Sequence, residues 1–229
     1  MTNERDKEKQ RAAERAVAEV QDGMVLGLGS GTTVAFVLDA LAARVGAGLK
    51  VVGIPSSERT AEASRQLGIA LTDFAAHRRI DLTIDGADQI ARGSLDLVKG
   101  LGGALLREKM IALASRAMIV VADQSKLVDG LGGATPLPVE IVTFGWEVTF
   151  DHLRALGAAP ALRRAGDGPF VTDNGNYIAD CSFAEIADPA MLEARLASVF
   201  GVVATGLFCG LATMVVIGTP QGVDILRRT

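Results

Sequence analysis

The first half of the chain alternates short apolar runs with amphipathic stretches, and this rhythm limits the possible folds more than any other feature. Such alternation is typical of parallel strands joined by helices. The predicted strands are Met24–Leu28, Leu49–Ile54, Ile80–Ile84, Leu95–Val98 and Ala117–Ala122, and the predicted helices cover 34–44, 57–67 and a stretch ending near 115. The first half therefore predicts a parallel sheet covered by helices.

The second half has a different order of elements. Strands are predicted at 139–142, 161–163, 177–181 and 202–207, with helices over 146–156 and 189–198. Their order, β-α-β-β-α-β, is ferredoxin-like. A last strand, Thr213–Ile217, would return to the first sheet. We predict an α/β protein with a Rossmann-like parallel sheet and helices on both faces (1–131 and 206–229), and a smaller, inserted α+β ferredoxin-like domain (132–205) whose apolar face would serve subunit contact.

Composition and charge exclude several classes of function. At 229 residues and 49% apolar content, the chain is long enough for a substantial core, and its net charge of −4 provides no broad basic surface for nucleic acid. No apolar run reaches the ~20 residues that span a bilayer, and the charged segment 1–21 differs from a signal peptide. We expect a cytoplasmic protein without membrane contact, with Cys181 and Cys209 as buried, reduced thiols.

Polar loops follow the predicted strands of the first half. They are Gly29–Thr33, Ser56–Thr60, Asp85–Asp88, Lys99–Gly103 and Asp123–Lys126. Each alone is explained by a turn with a helix cap. Because open parallel sheets bind ligands at the carboxyl ends of their strands, five such loops on one edge favour a ligand site.

The first loop suits a phosphate. Gly27, Gly29 and Gly31 alternate with hydroxyls at Ser30, Thr32 and Thr33 just before a helix, where unpaired N–H groups bind anions. Thr32 stands where a dinucleotide-binding motif needs its third glycine, and no Gly-Lys-Ser/Thr of a Walker motif follows. A small phosphorylated ligand fits this loop better than a dinucleotide.

Charged residues complete the candidate site. Asp85 and Asp88 flank a tight Gly86-Ala87, where one carboxylate would ordinarily cap a helix but two could hold sugar hydroxyls or move a proton. Lys99 and Lys126 supply positive charge for a phosphate or an enediolate oxygen. Glu108, early in a helix, is a candidate general base, although its spacing alone favours a carboxylate placed by the helix dipole.

Taken together, these segments resemble the ribose-5-phosphate isomerase A family over nearly the whole chain. The resemblance rests on Gly27–Thr33, Asp85–Asp88, Lys99–Lys109, Ala122–Lys126, Pro136–Glu140, Val171–Asn176 and Ile217–Val223. It implies interconversion of ribose 5-phosphate and ribulose 5-phosphate through an enediol, in the non-oxidative branch of the pentose phosphate pathway. It implies no metal or organic cofactor, and a homodimer or homotetramer.

The resemblance also assigns roles by position. Glu108 would shuttle a proton between C1 and C2, Asp85 would assist ring opening, Asp88 would hold hydroxyls, and Lys99 would stabilise the enediolate. The substrate would be bound by Ser30, Gly31, Thr32, Thr33, Asp85, Gly86, Ala87, Asp88, Lys99, Gly100, Leu101, Gly102 and Lys126, with help from Lys9.

Three positions depart from the family pattern. Gln89 replaces an acid, Leu101 interrupts a run of glycines, and Leu106 replaces a residue that often carries a hydroxyl. We take these departures as a question of substrate preference and rate, because the proposed base, both aspartates and both lysines are present.

Other functions stay open at this stage. They are an isomerase acting on another sugar phosphate, a non-catalytic sugar-phosphate sensor of the same fold, and a Schiff-base enzyme using Lys99. A metal-dependent isomerase is disfavoured, because His77 and His152 are isolated in the sequence.

Overall fold

The structure, a computed structural model, describes residues 4–228. Two compact units divide the chain. The first contains the residues up to Ala87, Arg107–Lys126 and the residues from Gly210; the second contains Asp88–Leu106 and Leu127–Cys209. The split into domains 1–131 with 206–229 and 132–205 stays a prediction; the compact units differ from it in placing 88–106, 127–131 and 206–209 with the second unit.

The predicted helices and strands are present in the predicted order, together with an N-terminal helix and with several short strands that were not predicted. The first part of the chain forms α1 (Glu4–Val17), β1 (Val25–Leu28), α2 (Thr32–Gly46), β2 (Val52–Pro55), α3 (Glu58–Gln66), β3 (Leu82–Asp85), β4 (Gln89–Ala91), β5 (Leu97–Val98), α4 (Leu105–Leu113), β6 (Met118–Asp123) and β7 (Leu127–Val128). The remainder forms β8 (Leu137–Ile141), α5 (Trp146–Ala155), β9 (Ala159–Leu162), β10 (Arg164–Ala165), β11 (Gly168–Pro169), β12 (Tyr177–Ser182), α6 (Pro189–Ala197), β13 (Val202–Thr205), β14 (Leu207–Phe208), β15 (Met214–Thr219) and β16 (Gly222–Arg227).

The first unit is built on a six-stranded sheet of order β16-β15-β6-β3-β1-β2, in which all neighbours but β15 and β16 pair in parallel. Alternate residues of β1 face opposite sides of the sheet. Leu26 packs with residues of α1 and α2, whereas Val25 packs with Ile54 and Ile111 of α4. Helices therefore cover both faces, which confirms the predicted α/β class and the return of the late strand β15.

The second unit contains a four-stranded antiparallel sheet of order β13-β8-β12-β9. Numbered within β8-α5-β9-β12-α6-β13, this order is 4-1-3-2, the ferredoxin-like arrangement. Leu137, Val139 and Ile141 of β8 share a buried cluster with Leu153 of α5 and Leu196 of α6. The alternation of apolar residues in β8 thus fixes which face the two helices cover.

A separate small sheet corrects one prediction. The segment Leu95–Val98 was expected beside the strands of the parallel sheet, yet β5 pairs antiparallel with β4 and β14, in a sheet of order β14-β5-β4-β7. A two-residue buried strand has no periodicity that specifies its partner. Only four of the five polar loops therefore follow strands of the parallel sheet.

Two further observations concern cysteines and membranes. Neither Cys181 nor Cys209 forms a disulfide; Cys181 is buried as predicted, but Cys209 is only half-buried. Between residues 4 and 228, no helix has both the length and the apolar character needed to cross a membrane.

Candidate active site

Four of the predicted polar loops begin at the carboxyl edge of the sheet of the first unit. β1, β2, β3 and β6 run parallel and end at Leu28, Pro55, Asp85 and Asp123. From β1, the chain continues to β2 on one side, and β3 lies on the other side. The sheet therefore has its topological switch point between β1 and β3, where ligands bind in open parallel sheets.

The loop after β1 leads directly into α2. Gly31, with φ of 97°, holds the N-cap position and supplies no side-chain cap, and α2 begins at Thr32. No acidic residue stands in the first turn of α2. Nearby, the Lys9 ammonium lies 3.5 Å from the Thr32 hydroxyl. The helix start, Thr32, Thr33 and Lys9 together give the positive potential and donors that an anion needs.

Ser30 joins two buried carboxylates of this unit, Asp85 and Glu108. Its backbone N–H donates to Asp85 Oδ1 over 3.1 Å, and its hydroxyl donates to Glu108 Oε1 over 2.5 Å. Asp85 and Glu108 are 1% and 4% exposed. Any Cβ at position 29 would overlap the Asp85 carboxylate, so only glycine permits this close approach.

Three further predicted site residues of the first unit are Gly86, Ala87 and Lys126. The N–H of Gly86 donates to Asp85 Oδ1 over 2.7 Å, and Ala87 is half-buried. Lys126 closes a 3₁₀ turn, Gln124–Lys126, just after β6. That turn is fixed by buried Asp123, whose Oδ1 accepts the N–H and hydroxyl of Ser125.

Asp88 and the Lys99 loop belong to the second unit. In the antiparallel pair of β4 and β5, Gln89 stands opposite Val98, so the register brings Asp88 opposite Lys99. Asp88 Oδ2 accepts the backbone N–H of Leu101 over 2.9 Å. Strand pairing thus places the Asp88 carboxylate beside Lys99, although the two residues are separated in the sequence.

Lys99 is held firmly within the second unit. It is 3% exposed, its N–H donates to Gly206 O over 2.8 Å, and its ammonium lies 5.5 Å from the centre of the Phe208 ring. A cation over an aromatic face is favourable where water is excluded. Leu101, by contrast, is 43% exposed.

Two of the three departures have structural explanations. The Gln89 amide is 6% exposed, donates to Gly132 O over 2.9 Å and accepts the Gly132 N–H over 2.8 Å. Leu106 packs against a buried cluster of Leu105, Ile178 and Ala204. Both residues therefore serve the packing of the second unit.

Sequence reasoning missed two polar groups of the second unit. Glu140, fully buried, accepts hydrogen bonds at Oε1 from Thr172, Asn174 and Asn176. Arg163 forms a bidentate ion pair with Asp180. The charge of Glu140 within the apolar run of β8 was a signal for the first, whereas nothing in the sequence singles out Arg163.

Together, the parallel sheet, the helix start at its switch point and the two linked carboxylates are the arrangement expected of an α/β enzyme that acts on small phosphorylated ligands. Within residues 4–228, no cluster of three or more His, Cys, Asp or Glu side chains is arranged to hold a metal ion.

Comparison with known proteins identifies the family. The family model for ribose 5-phosphate isomerase A (phosphoriboisomerase A) matches residues 52–222. The chain is 53% identical to the ribose-5-phosphate isomerase A of Gloeobacter violaceus, over 95% of each chain. It superposes on the ribose 5-phosphate isomerase of Plasmodium falciparum with a TM-score of 0.94 at 40% identity, covering 98% of this chain and 99% of that one. The chain belongs to the ribose 5-phosphate isomerase A family.

A further solved structure contains a ligand. It is a D-ribose-5-phosphate isomerase in complex with phospho-erythronic acid, with a TM-score of 0.95 and 35% identity over 98% of this chain and 99% of that chain. Family membership confirms the predicted class of enzyme and its phosphorylated sugar substrate.

Proposed function

We propose that this protein interconverts D-ribose 5-phosphate and D-ribulose 5-phosphate through an enediol or enediolate. The observation that carries the proposal is the Ser30 link between Asp85 and Glu108, placed beside an anion-binding helix start. The isomerisation moves one proton from C2 to C1 of the open-chain aldose, while a proton moves between the oxygens on those carbons. It requires a base, a group for the oxygens and a grip on the phosphate.

Glu108 is the proposed base. It takes the C2 proton, which leaves the electron pair in the enediolate, and returns the proton to C1 to give the ketose. Its burial excludes water that would otherwise take the proton, and the Ser30 hydroxyl orients its carboxylate. Asp85 is proposed to assist ring opening and proton movement at the sugar oxygens.

The other predicted residues have supporting roles in this proposal. Asp88 holds sugar hydroxyls, and Lys99 stabilises the negative oxygen of the enediolate. Ser30, Gly31, Thr32, Thr33 and Lys126 hold the phosphate, with Lys9 close to Thr32. Ser30 is also proposed to orient Glu108, because its hydroxyl donates to that carboxylate.

The ligand of the solved relative supports this division of the substrate. Phospho-erythronic acid carries both a phosphate and a carboxylate. A carboxylate has the planar shape and negative oxygens of an enediolate. We propose that it binds this chain as a competitive inhibitor.

The central test replaces the proposed base. Glu108→Gln keeps the size of the side chain and the acceptor for Ser30 but removes the basic oxygen. We expect kcat on ribose 5-phosphate to fall by about 10²- to 10⁴-fold, while binding of phospho-erythronic acid, measured by calorimetry, persists.

The matched control is Glu62→Gln, at an exposed glutamate of α3 that pairs with Arg65. It should behave as the unchanged protein. Near-normal turnover of Glu108→Gln would contradict the role of Glu108. If the wild-type protein had no activity on ribose 5-phosphate, the proposed function itself would be contradicted.

We also propose that the protein is a cytoplasmic homodimer or homotetramer that needs neither nucleic acid nor membrane. The exposed apolar side chains Phe144, Val148 and Phe200 of the second unit support self-association. Light scattering after size exclusion would measure the assembly.

A further inference from the structure

The loop Lys99–Gly103, called the glycine loop below, is held through its backbone from two sides. Asp88 Oδ2 accepts the N–H of Leu101 over 2.9 Å. Arg163 Nη1 donates to the carbonyl oxygens of Gly100 and Leu101 over 2.9 and 3.0 Å. Consecutive peptide groups of the loop are therefore fixed by an anion on one side and a cation on the other.

Arg163 is itself immobilised. Its Nε and Nη2 donate to the two carboxylate oxygens of Asp180 over 2.9 and 2.5 Å, and its side chain is 12% exposed. It directly follows β9, and Asp180 lies in β12, the neighbouring strand. The ferredoxin-like sheet thus fixes the orientation of the rigid guanidinium plane that contacts the loop.

An aromatic side chain closes the same region. The ring of Phe170 occupies the space that a Cβ at Gly103 would need, and the Arg163 guanidinium lies 5.8 Å from its centre. Phe170 therefore packs against both the glycine loop and the arginine that holds it.

The orientation of the peptide groups has a chemical consequence. In a planar trans peptide, the C=O and the following N–H point in opposite directions. With the Gly100 carbonyl bound to Arg163, the Leu101 N–H points away from it and reaches Asp88. With the Leu101 carbonyl bound as well, the Gly102 N–H is also turned away from Arg163, and no acceptor for it is present among the residues that the structure describes.

We propose that Arg163, fixed by Asp180, is a positioning residue that sets the glycine loop so that the Gly102 N–H is presented to a negative oxygen of the substrate. The inference rests on the proposed function, since an enediolate provides such an oxygen. Arg163 also fixes Leu101, the residue that replaces a glycine of the family pattern. The exposed leucine side chain is thereby kept on a backbone with one orientation.

The alternative is an ion pair that only joins β9 to β12. The two carbonyl contacts distinguish these roles, because Asp180 uses only Nε and Nη2 and leaves Nη1 for the loop. Lysine would keep a positive charge beside Asp180, but it lacks a planar fork that reaches Asp180 and both carbonyls together.

The test therefore uses Arg163→Lys, which leaves no unpaired carboxylate at Asp180. The matched control is Arg164→Lys, at an exposed neighbour that donates only to Asp167 O among the contacts described. Because a misplaced reacting group costs up to about 10²-fold in rate, we expect kcat of Arg163→Lys to fall by about 10- to 100-fold. KM should change by less than about threefold, because the loop Gly29–Thr33, which is proposed to hold the phosphate, belongs to the first unit.

Amide hydrogen exchange provides a readout that does not depend on activity. In Arg163→Lys, the peptide containing the glycine loop should exchange at least about tenfold faster, with β9 and β12 nearly unchanged. Asp180→Asn should give the same pattern more weakly, and Arg164→Lys should match the unchanged protein.

Each outcome is decisive. A normal kcat, or a glycine loop that exchanges at its normal rate, would overturn the proposal, as would a uniform rise in exchange over β9 and β12. If the unchanged protein lacked isomerase activity, the proposed function would fail, and the exchange pattern would still decide whether Arg163 positions the loop.

Discussion

Gln89 shows how one side chain acquires a role that the sequence left open. An amide both donates to and accepts from the backbone of Gly132, whereas the carboxylate usual in the family only accepts. In this chain, Gln89→Glu would leave the Gly132 carbonyl without its donor and bury a charge. We expect the free energy of unfolding to fall by about 1–3 kcal/mol, measured by urea denaturation, while exposed Gln221→Glu changes it little. An unchanged free energy of unfolding in Gln89→Glu would mean that the hydrogen bonds between the Gln89 amide and Gly132 do not contribute to stability.

Helix starts show how far local chemistry extends. The helix predicted over 57–67 forms as α3, and Ser57 caps its start by accepting the N–H of Thr60. α6 likewise starts with Asp188, which accepts the N–H of Met191, and Pro189 occupies its first turn. We expect Asp188→Ala to lower the free energy of unfolding by about 1 kcal/mol, and Asp188→Asn to keep most of it, because asparagine also caps. Equal losses in urea titrations of the two variants would contradict this account.

Stability of the whole molecule should depend on alkaline pH through one buried thiol. Burial, with a smaller contribution from Asp180, raises the pKa of Cys181 from 9.0 to about 12. Between these values, the unfolded chain loses the thiol proton and the folded protein keeps it, so stability falls as pH rises. The contribution is complete below pH 9.

Comparison with Cys181→Ala isolates this effect from other groups that titrate at high pH. We expect the unchanged protein to lose about 2 kcal/mol more than Cys181→Ala between pH 8.5 and 10.5, measured by urea unfolding in the presence of a reductant. Parallel losses in the two proteins would contradict the raised pKa.

Much of the fold could be predicted from local patterns. Apolar alternation predicted the strands of both main sheets except β16, and the carboxyl ends of parallel strands predicted the edge where Ser30, Asp85 and Lys126 lie. The hairpin of β15 and β16 was missed, although Pro220 and Gln221 form a two-residue turn between paired strands. Glu108 was ambiguous in the sequence, because a carboxylate in the first turn of a helix is favourable without any function.

Residue order and chemistry were sufficient for the parallel sheet, the ferredoxin-like order and the helix that follows the glycine-rich loop Gly29–Thr33, because each depends on neighbours within a few residues or on strand direction. Three-dimensional packing was needed for the pairing of β5 with β14, the Ser30 hydroxyl on Glu108, and Arg163 on the glycine loop. These contacts join residues far apart in the chain, and no periodicity encodes which distant donor meets which acceptor. Each contact forms only when the fold of its own unit brings the two partners together.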